Sequence, residues 1–318
     1  MAAFYAGKVE CRVVGKEVRD VAVLDFTSQY PSLFCLLGAE RFLTAGRMEP
    51  RDTTEEVRQF LASLTAGDLL KYKTWANPII WSLCEVEADG EILPVRSTYS
   101  AKGDAPTIGW NRVSTKEGGT LPYLLPDVIA AKLLGGRAPK IVRAVTFAPV
   151  GRQSLNELSI LGATVRPEDN LIQRLSEARI REKTEKRGGW EARALGLKIH
   201  VNAASYGVFV EVNVKRREGE MEVCGLDSEE SFEEDGAKVE EAGELFCPLL
   251  GAMITSGAHL LLALLDTVAT KHGAEVVYCD TDSAFVTPSK AAPEIAKEFD
   301  GLDPYSVPVP LLKDETED

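Results

Sequence analysis

Hydrophobic and polar positions alternate from Arg12 and then close into a continuous apolar run, Val21-Ala22-Val23-Leu24. That pattern predicts a buried strand that delivers Asp25 at its end. Pro31 predicts a turn ahead of a helix from Leu33 to Leu37. Residues 47–165 are mixed, with helical spacing at 53–64, a strand-like stretch from Ile79 to Glu87, and a part rich in glycine and proline from Gly103 to Pro126. No motif stands out there, and the stretch reads as an inserted subdomain of unassigned role. Asp169 to Trp190 has the spacing of a charged amphipathic helix ended by Gly188-Gly189, and a second helix is expected from Glu191 to about Ala204. Gly207 to Val212 then alternates as a strand. Leu245 to His272 predicts a long helix with an apolar face, stopped by Gly273. Ala274 to Thr287 follows as two short strands joined through Asp280-Thr281-Asp282-Ser283. No internal repeat is visible.

Composition narrows the class. A chain of 318 residues with 45% apolar and 27% charged residues is globular, one large or two to three ordinary domains, which excludes disorder, collagen and a disulfide scaffold. Six scattered cysteines without a C-x-x-C pair, and only three histidines, argue against a zinc knuckle. They read as free thiols of a reducing, cytoplasmic setting. The most apolar run, Ile254 to Leu265, is interrupted by Ser256 and His259 and stopped by Asp266, so no membrane span and no membrane partner are expected.

Net charge is −13, which speaks against nucleic acid until it is resolved along the chain. Glu218 to Glu244 holds twelve acidic residues and one basic one, a segment charge of −11 that leaves the rest of the chain at −2. The segment reads as a solvated acidic insertion. Between Arg166 and Lys198 the balance reverses, nine basic residues to six acidic, and a basic face becomes available.

The candidate chemistry sits at both ends. Asp280 and Asp282 are two apart, which in extended backbone puts both carboxylates on one face. Like charges held that close are costly without a cation between them. Asp25, at the end of a separate strand, offers a third hard oxygen ligand suited to Mg²⁺. Spacing alone also suits an Asp-rich turn capping its own backbone. Arg179 and Lys183 are four apart on one helix face, as are Lys198 and Asn202 on the next, so a helical hairpin could present several cations to a triphosphate, although such charges also serve as plain solvated surface.

In chain order these pieces resemble the family B DNA polymerases. Asp25-Phe26-Thr27-Ser28-Gln29-Tyr30-Pro31-Ser32 is similar to the family's D-x-x-S-x-Y-P-S motif A. Lys198-Ile199-His200-Val201-Asn202 with Tyr206-Gly207 resembles motif B, and Tyr278-Cys279-Asp280-Thr281-Asp282-Ser283 resembles motif C, Y-G-D-T-D-S. Tyr5-Ala6-Gly7 resembles the Y-x-G-G/A element that precedes the polymerase domain. The resemblance implies an α/β (α+β) fold: a palm with an antiparallel sheet, helical-hairpin fingers and an inserted subdomain. The corresponding boundaries are 1–46 for the first part of the palm, 47–165 for the insertion, 166–207 for the fingers and 208–318 for the second part of the palm.

It implies template-directed DNA synthesis with two Mg²⁺ ions, Mn²⁺ being a substitute, from dNTPs onto the primer of a primer-template DNA. Asp25, Asp280 and Asp282 would be catalytic, and the metal ligands would be these three with the Phe26 carbonyl. Phe26, Ser28, Tyr30, Arg179, Lys183, Lys198 and Asn202 would bind the nucleotide, Tyr30 under the sugar where its ring blocks a 2′-hydroxyl. Tyr5, Gly7, Tyr206 and Gly207 would meet DNA. The expectation includes a separate chain or missing segment that supplies thumb and exonuclease, which makes the chain one half of a split polymerase or a fragment.

Three departures accompany the resemblance: an extra residue in motif B between Asn202 and Tyr206, Cys279 in place of the usual glycine, and His259 where relatives often carry arginine. Two competing readings follow. A catalytically silent nucleic-acid-binding or assembly module would tolerate loss of Asp25 and Asp282, and a metal-dependent phosphohydrolase would release phosphate from dNTPs without a primer.

Overall fold

The strand expected at Val21–Leu24 forms, and the core is organised around it. The protein is described by a computed structural model over residues 3–13, 15–97, 107–116, 118–216, 219–224, 231–235 and 238–316. In chain order the central elements are β1 (Val9–Cys11), β2 (Ala22–Phe26), α1 (Gln29–Leu36), α2 (Leu125–Gly135), α3 (Leu171–Glu185), α4 (Trp190–Ser205), α5 (Pro248–Lys271), β3 (Glu275–Asp280), β4 (Ser283–Thr287) and β5 (Leu312–Asp314). The five strands form one antiparallel sheet in the order β1-β3-β4-β2-β5. Along β2, Ala22, Leu24 and Phe26 are buried while the residues between them are half-buried, the period of two expected of a sheet covered on one face.

Helix α5 packs against that sheet and against α1 and α2. Eighteen of its residues are buried, so it is apolar nearly all round, the pattern of a central helix. Each fully buried leucine there contributes about 1.5–3 kcal/mol relative to exposure. By length and composition α5 could cross a membrane, yet 89% of its most apolar window is covered by the fold. At Gly257 an added Cβ would stand 3.0 Å from the Leu33 side chain, so this glycine lets α1 approach closely.

The architecture is mixed α/β with antiparallel sheets. Within 47–165, the strands Arg47–Asp52, Lys140–Val150, Ser82–Glu87 and Leu121–Leu124 form a second sheet in that order, and Asp89–Ser97 pairs with Thr107–Ser114 as a hairpin. Trp81 ties this region to α1: its indole donates to the Leu37 carbonyl at 2.9 Å and its ring stacks on Phe42. Helices α3 and α4 form the expected hairpin. Asn170 caps α3 by accepting the Gln173 amide at 3.1 Å.

Several expectations are corrected. The helix expected at Leu33 begins at Gln29, because the turn falls at Thr27-Ser28 and Pro31 occupies the first helical turn, where its missing N–H costs nothing. The strand expected from Ile79 begins at Ser82, after a 3₁₀ turn at Pro78–Trp81. Helix α3 ends at Glu185 on Lys186 in the left-handed region (φ 49°), and Gly189 (φ 75°) opens α4 instead of closing α3. Gly207 to Phe209 is a 3₁₀ turn, with the strand starting at Val212. The stretch 103–126 holds two strands and the start of α2, its residues 103–106 and 117 lying outside the described ones. Of the acidic segment 218–244, residues 218, 225–230 and 236–237 lie outside the described ones. The rest forms antiparallel ladders, Val212–Arg216 with Lys238–Ala242 and Glu220–Cys224 with Ser231–Asp235.

Candidate active site

Strand β2 ends at Phe26, whose amide donates to the Asp282 carbonyl at 2.8 Å, while Ser283 pairs with Asp25 across the β2–β4 ladder. The two strand ends therefore carry Asp25 and Asp282 into one cleft. The chain then reverses sharply. Ser28 adopts φ 46°, in a region non-glycine residues rarely occupy, and the turn is held by bonds from Thr27 N to the Leu311 carbonyl (2.8 Å), Thr27 Oγ1 to the Pro310 carbonyl (2.8 Å) and Ser32 Oγ to the Thr27 carbonyl (2.8 Å).

The cleft has a volume of about 790 Å³. Asp25, Asp282 and Thr281 line it from the central sheet, Ser28, Gln29 and Tyr30 from the turn and α1, Arg179 and Lys183 from α3, and Lys198, Asn202, Tyr206 and Gly207 from α4 and its end. Helix α3 and α4 faces with i, i+4 spacing thus converge on the carboxylates as the spacing predicts. Arg179 Nη1 donates to Ser28 Oγ at 3.1 Å. The rings of Tyr30 and Tyr206 meet at 4.8 Å with a tilt of 57°.

Charges in the cleft crowd by sign. Burial first, then Asp282 and Glu315, push the Asp25 carboxyl up to about 6, with Lys313 opposing them. Asp282 is also raised, by burial above all and by Asp280 and Glu315. On the facing helices, Arg179 chiefly, with burial, Lys313 and Lys198, holds the Lys183 ammonium below its ordinary value, against the pull of Glu315. Arg179 is lowered by burial, Tyr305 opposing it. Tyr30 is raised by burial, by Tyr206 and by Asp282. The carboxylates would be relieved by a cation and the ammonium by an anion.

Not every expected residue reaches the cleft. Thr281 takes φ 56°, so the backbone between Asp280 and Asp282 is folded, the Asp282 amide meeting the Asp280 carbonyl at 2.6 Å. The extended geometry expected to place both carboxylates on one face does not occur. Asp280 is exposed, bonded by Thr281 Oγ1 at 3.0 Å and by Tyr278 Oη at 3.4 Å, and is not among the lining residues. The Phe26 ring is core, packed edge-on against Phe299 at 5.6 Å, and Phe26, expected to offer its carbonyl, is not among the residues that line the cleft. Tyr5 and Gly7 lie outside the cleft, Tyr5 stacked on Tyr123 at 5.6 Å and under the Arg96 guanidinium, Gly7 against Thr281. Cys279 is buried, which raises its thiol, and His259 is buried inside α5.

Other residues enter the cleft unannounced. Lys313 lies opposite Asp25 in the β2–β5 ladder, and Glu315 is two residues on. Gln29 is 2% exposed with neither amide atom partnered within the fold. Among the described residues, no three His, Cys, Asp or Glu side chains come together as a metal cage. Two carboxylates raised in one cleft fit a hard cation whose remaining ligands are phosphate oxygens and water, as Mg²⁺ prefers, and do not fit an all-protein site.

No protein-family model matches the chain, and none of the curated proteins matches it. Among solved structures it matches part of the family B DNA polymerases. Phi29 DNA polymerase complexed with primer-template DNA and incoming nucleotide is 15% identical, with 90% of this chain covered, 42% of that one, and a TM-score of 0.44. The same polymerase complexed with single-stranded DNA is 14% identical, with coverages of 99% and 45% and a TM-score of 0.43. The family B DNA polymerase from the archaeon Pyrobaculum calidifontis is 15% identical, with coverages of 98% and 26% and a TM-score of 0.37. The chain spans less than half the length of each of them.

Proposed function

We propose that the chain is the palm and fingers of a DNA polymerase and adds deoxynucleotides to a primer 3′-hydroxyl, with primer-template DNA and dNTPs as its partners. The observation that carries this reading is the facing of two carboxylates, Asp25 and Asp282, by Arg179, Lys183 and Lys198 across one cleft. A magnesium–triphosphate complex has the complementary charge on both sides. Water-filled clefts without phosphate ligands give no reason to gather like charges in two opposed groups.

Asp25 and Asp282 would hold Mg²⁺, which when bound supplies charge neutralisation at the reacting phosphate and lowers the barrier to attack by the primer hydroxyl. Arg179, already placed by Ser28, and Lys183 and Lys198 would bind phosphate oxygens and orient the nucleotide. Their mutual repulsion is relieved as the triphosphate binds, so part of the binding energy is released from strain already present. Tyr30, pinned against Tyr206, would form a rigid floor under the sugar. The contact with Tyr206 would resist movement of the Tyr30 ring away from a 2′-hydroxyl.

A second reading is favoured by one observation. Asp280 stands outside the cleft lining, so only two of the three expected carboxylates are in place, as a silent polymerase-like assembly module would allow. Primer extension on a recessed duplex with Mg²⁺ and dNTPs separates the two, comparing the chain with its Asp282→Asn variant while DNA binding is followed by anisotropy. Extension by the wild type alone, with binding equal in both, supports the enzyme. Equal binding with no extension by either supports the module.

A further inference from the structure

His259 is 1% exposed, in the middle of α5, yet both of its ring nitrogens are engaged. Nδ1 lies 2.7 Å from Asp127 Oδ1 and Nε2 lies 2.8 Å from the Ala6 carbonyl oxygen. A carbonyl oxygen only accepts, so Nε2 carries a hydrogen. One further proton lies between Nδ1 and the Asp127 carboxyl. Asp127 stands in the first turn of α2, and its own amide is held by Ser256 Oγ of α5 at 3.1 Å. The pair holds the His259 ring in place, with Nε2 donating to the Ala6 carbonyl.

The bonded carbonyl belongs to a segment that touches the candidate site. A Cβ on Gly7 would come within 2.9 Å of Thr281 Oγ1, so the absence of a side chain there lets the segment lie flush on the Asp280–Asp282 turn. The next carbonyl, that of Lys8, accepts the Thr281 amide at 2.8 Å. Thr281 is β-branched and sits at φ 56°, a conformation that persists only where the surroundings impose it. The bond to the Lys8 carbonyl holds the Thr281 amide, beside the bonds from Asp282 N to the Asp280 carbonyl and from Phe26 N to the Asp282 carbonyl that restrain the rest of the turn.

We infer that His259 is a positioning residue for the Asp280–Asp282 turn: held by Asp127, it anchors Ala6 and so fixes Lys8 against Thr281, without itself touching the cleft. The anchoring rests on geometry alone; its effect on turnover rests on the proposed polymerase activity.

The full chain with two conservative substitutions tests it. His259→Asn keeps a polar group at the position of Nδ1, facing Asp127, and is too short to reach Ala6; His259→Gln reaches Ala6. Amide hydrogen exchange at Thr281 is expected to rise about tenfold in His259→Asn, as when one closing hydrogen bond is lost, and to return toward the wild-type value in His259→Gln. The Leu261 and Leu264 amides of α5 serve as internal controls and stay slow in both. Nitrogen NMR of the wild-type imidazole is expected to show a hydrogen on Nε2, the nitrogen that faces the Ala6 carbonyl. In primer extension kcat should fall about tenfold or more in His259→Asn, with KM for dNTP nearly unchanged, because the carboxylates and not the triphosphate groups are displaced. Unchanged Thr281 exchange in His259→Asn, or a wild-type ring without a hydrogen on Nε2, overturns the inference. Absence of synthesis by the wild type overturns the polymerase reading instead, and the exchange result still decides the anchor.

Discussion

The amide of Phe26 donates to the carbonyl oxygen of Asp282 at 2.8 Å, which joins the end of β2 to the start of β4 at the point where both strands leave the sheet. That bond helps carry Asp25 and Asp282 into one cleft. Burial raises both carboxyls first; Asp282 and Glu315 add to the rise of Asp25, and Asp280 and Glu315 to that of Asp282.

A pH dependence follows with a definite sign. The folded protein keeps the Asp25 proton up to about pH 6, whereas an ordinary aspartate releases it near 3.8. In that window the native state binds more protons than the unfolded chain, so this group's effect is a loss of stability as pH rises from about 4 to about 6. Asp25→Asn removes the loss. Its Tm should exceed that of the metal-free wild type by roughly 2–4 °C at pH 8, a gap that closes below pH 4. Excess Mg²⁺ should raise the wild-type Tm and leave the variant where it was. Thermal melts of both chains from pH 4 to 8 provide the check, and a gap independent of pH would refute the assignment.

Tyr30 is held against Tyr206 at 4.8 Å, and both rings line the cleft. Tyr30→Ala opens the floor and should let ribonucleotides in. Discrimination between dNTP and rNTP, measured as the ratio of kcat/KM values, should fall by about 10–200-fold, the range one steric contact controls. Incorporation of dNTP should persist, since no charge is lost.

Arg179 and Lys183 act on the same anion in this reading, and Arg179 already holds the Lys183 ammonium below its ordinary value. Arg179→Ala should raise KM for dNTP by roughly 10–100-fold, as expected for loss of a charge-assisted hydrogen bond. The Lys183 ammonium should then return toward its ordinary value, observable by NMR titration. Combining Arg179→Ala with Lys183→Ala should cost less than the product of the single effects, because the two cations repel in the free protein.

Periodicity made β2, α3, α4 and α5 legible in the sequence, because each has one continuous apolar face against the core. Spacing also placed Arg179, Lys183, Lys198 and Asn202 correctly along their helices, since an i, i+4 pair shares a face whatever it faces. The same kind of rule misplaced Asp280, because Thr281 adopts a positive φ that no alternation pattern encodes. Lys313, Glu315 and Gln29 were illegible for another reason. Their presence in the cleft depends on the register of β5 against β2 and on the turn at Ser28, both set by packing between distant segments. The hairpin at Asp89–Ser97 and Thr107–Ser114 lacks a regular alternation that would announce it, although Leu93 is buried in the core and Trp110 and Val113 pack against it.

Glu177 links the basic helix to the segment that precedes β5. It is 2% exposed on α3, and its Oε1 accepts from Ser306 N at 2.9 Å and from Gln173 Nε2 at 3.1 Å. Arg174 and Arg181 stand 3.7 and 3.6 Å from its other oxygen, both partly solvated. The carboxylate thus serves mainly as a buried acceptor for the Ser306 backbone N–H. Glu177→Leu should destabilise the protein by about 1–3 kcal/mol, the cost of leaving buried donors unpaired. Glu177→Gln retains an acceptor oxygen and should cost less than half of that. Urea unfolding of the three chains measures both values. Hydrogen exchange should locate the change at Ser306 and the neighbouring Val309 amide, which Asp303 holds at 3.0 Å. Equal stability of the leucine and glutamine variants would mean that α3 is held to this segment by its apolar contacts alone.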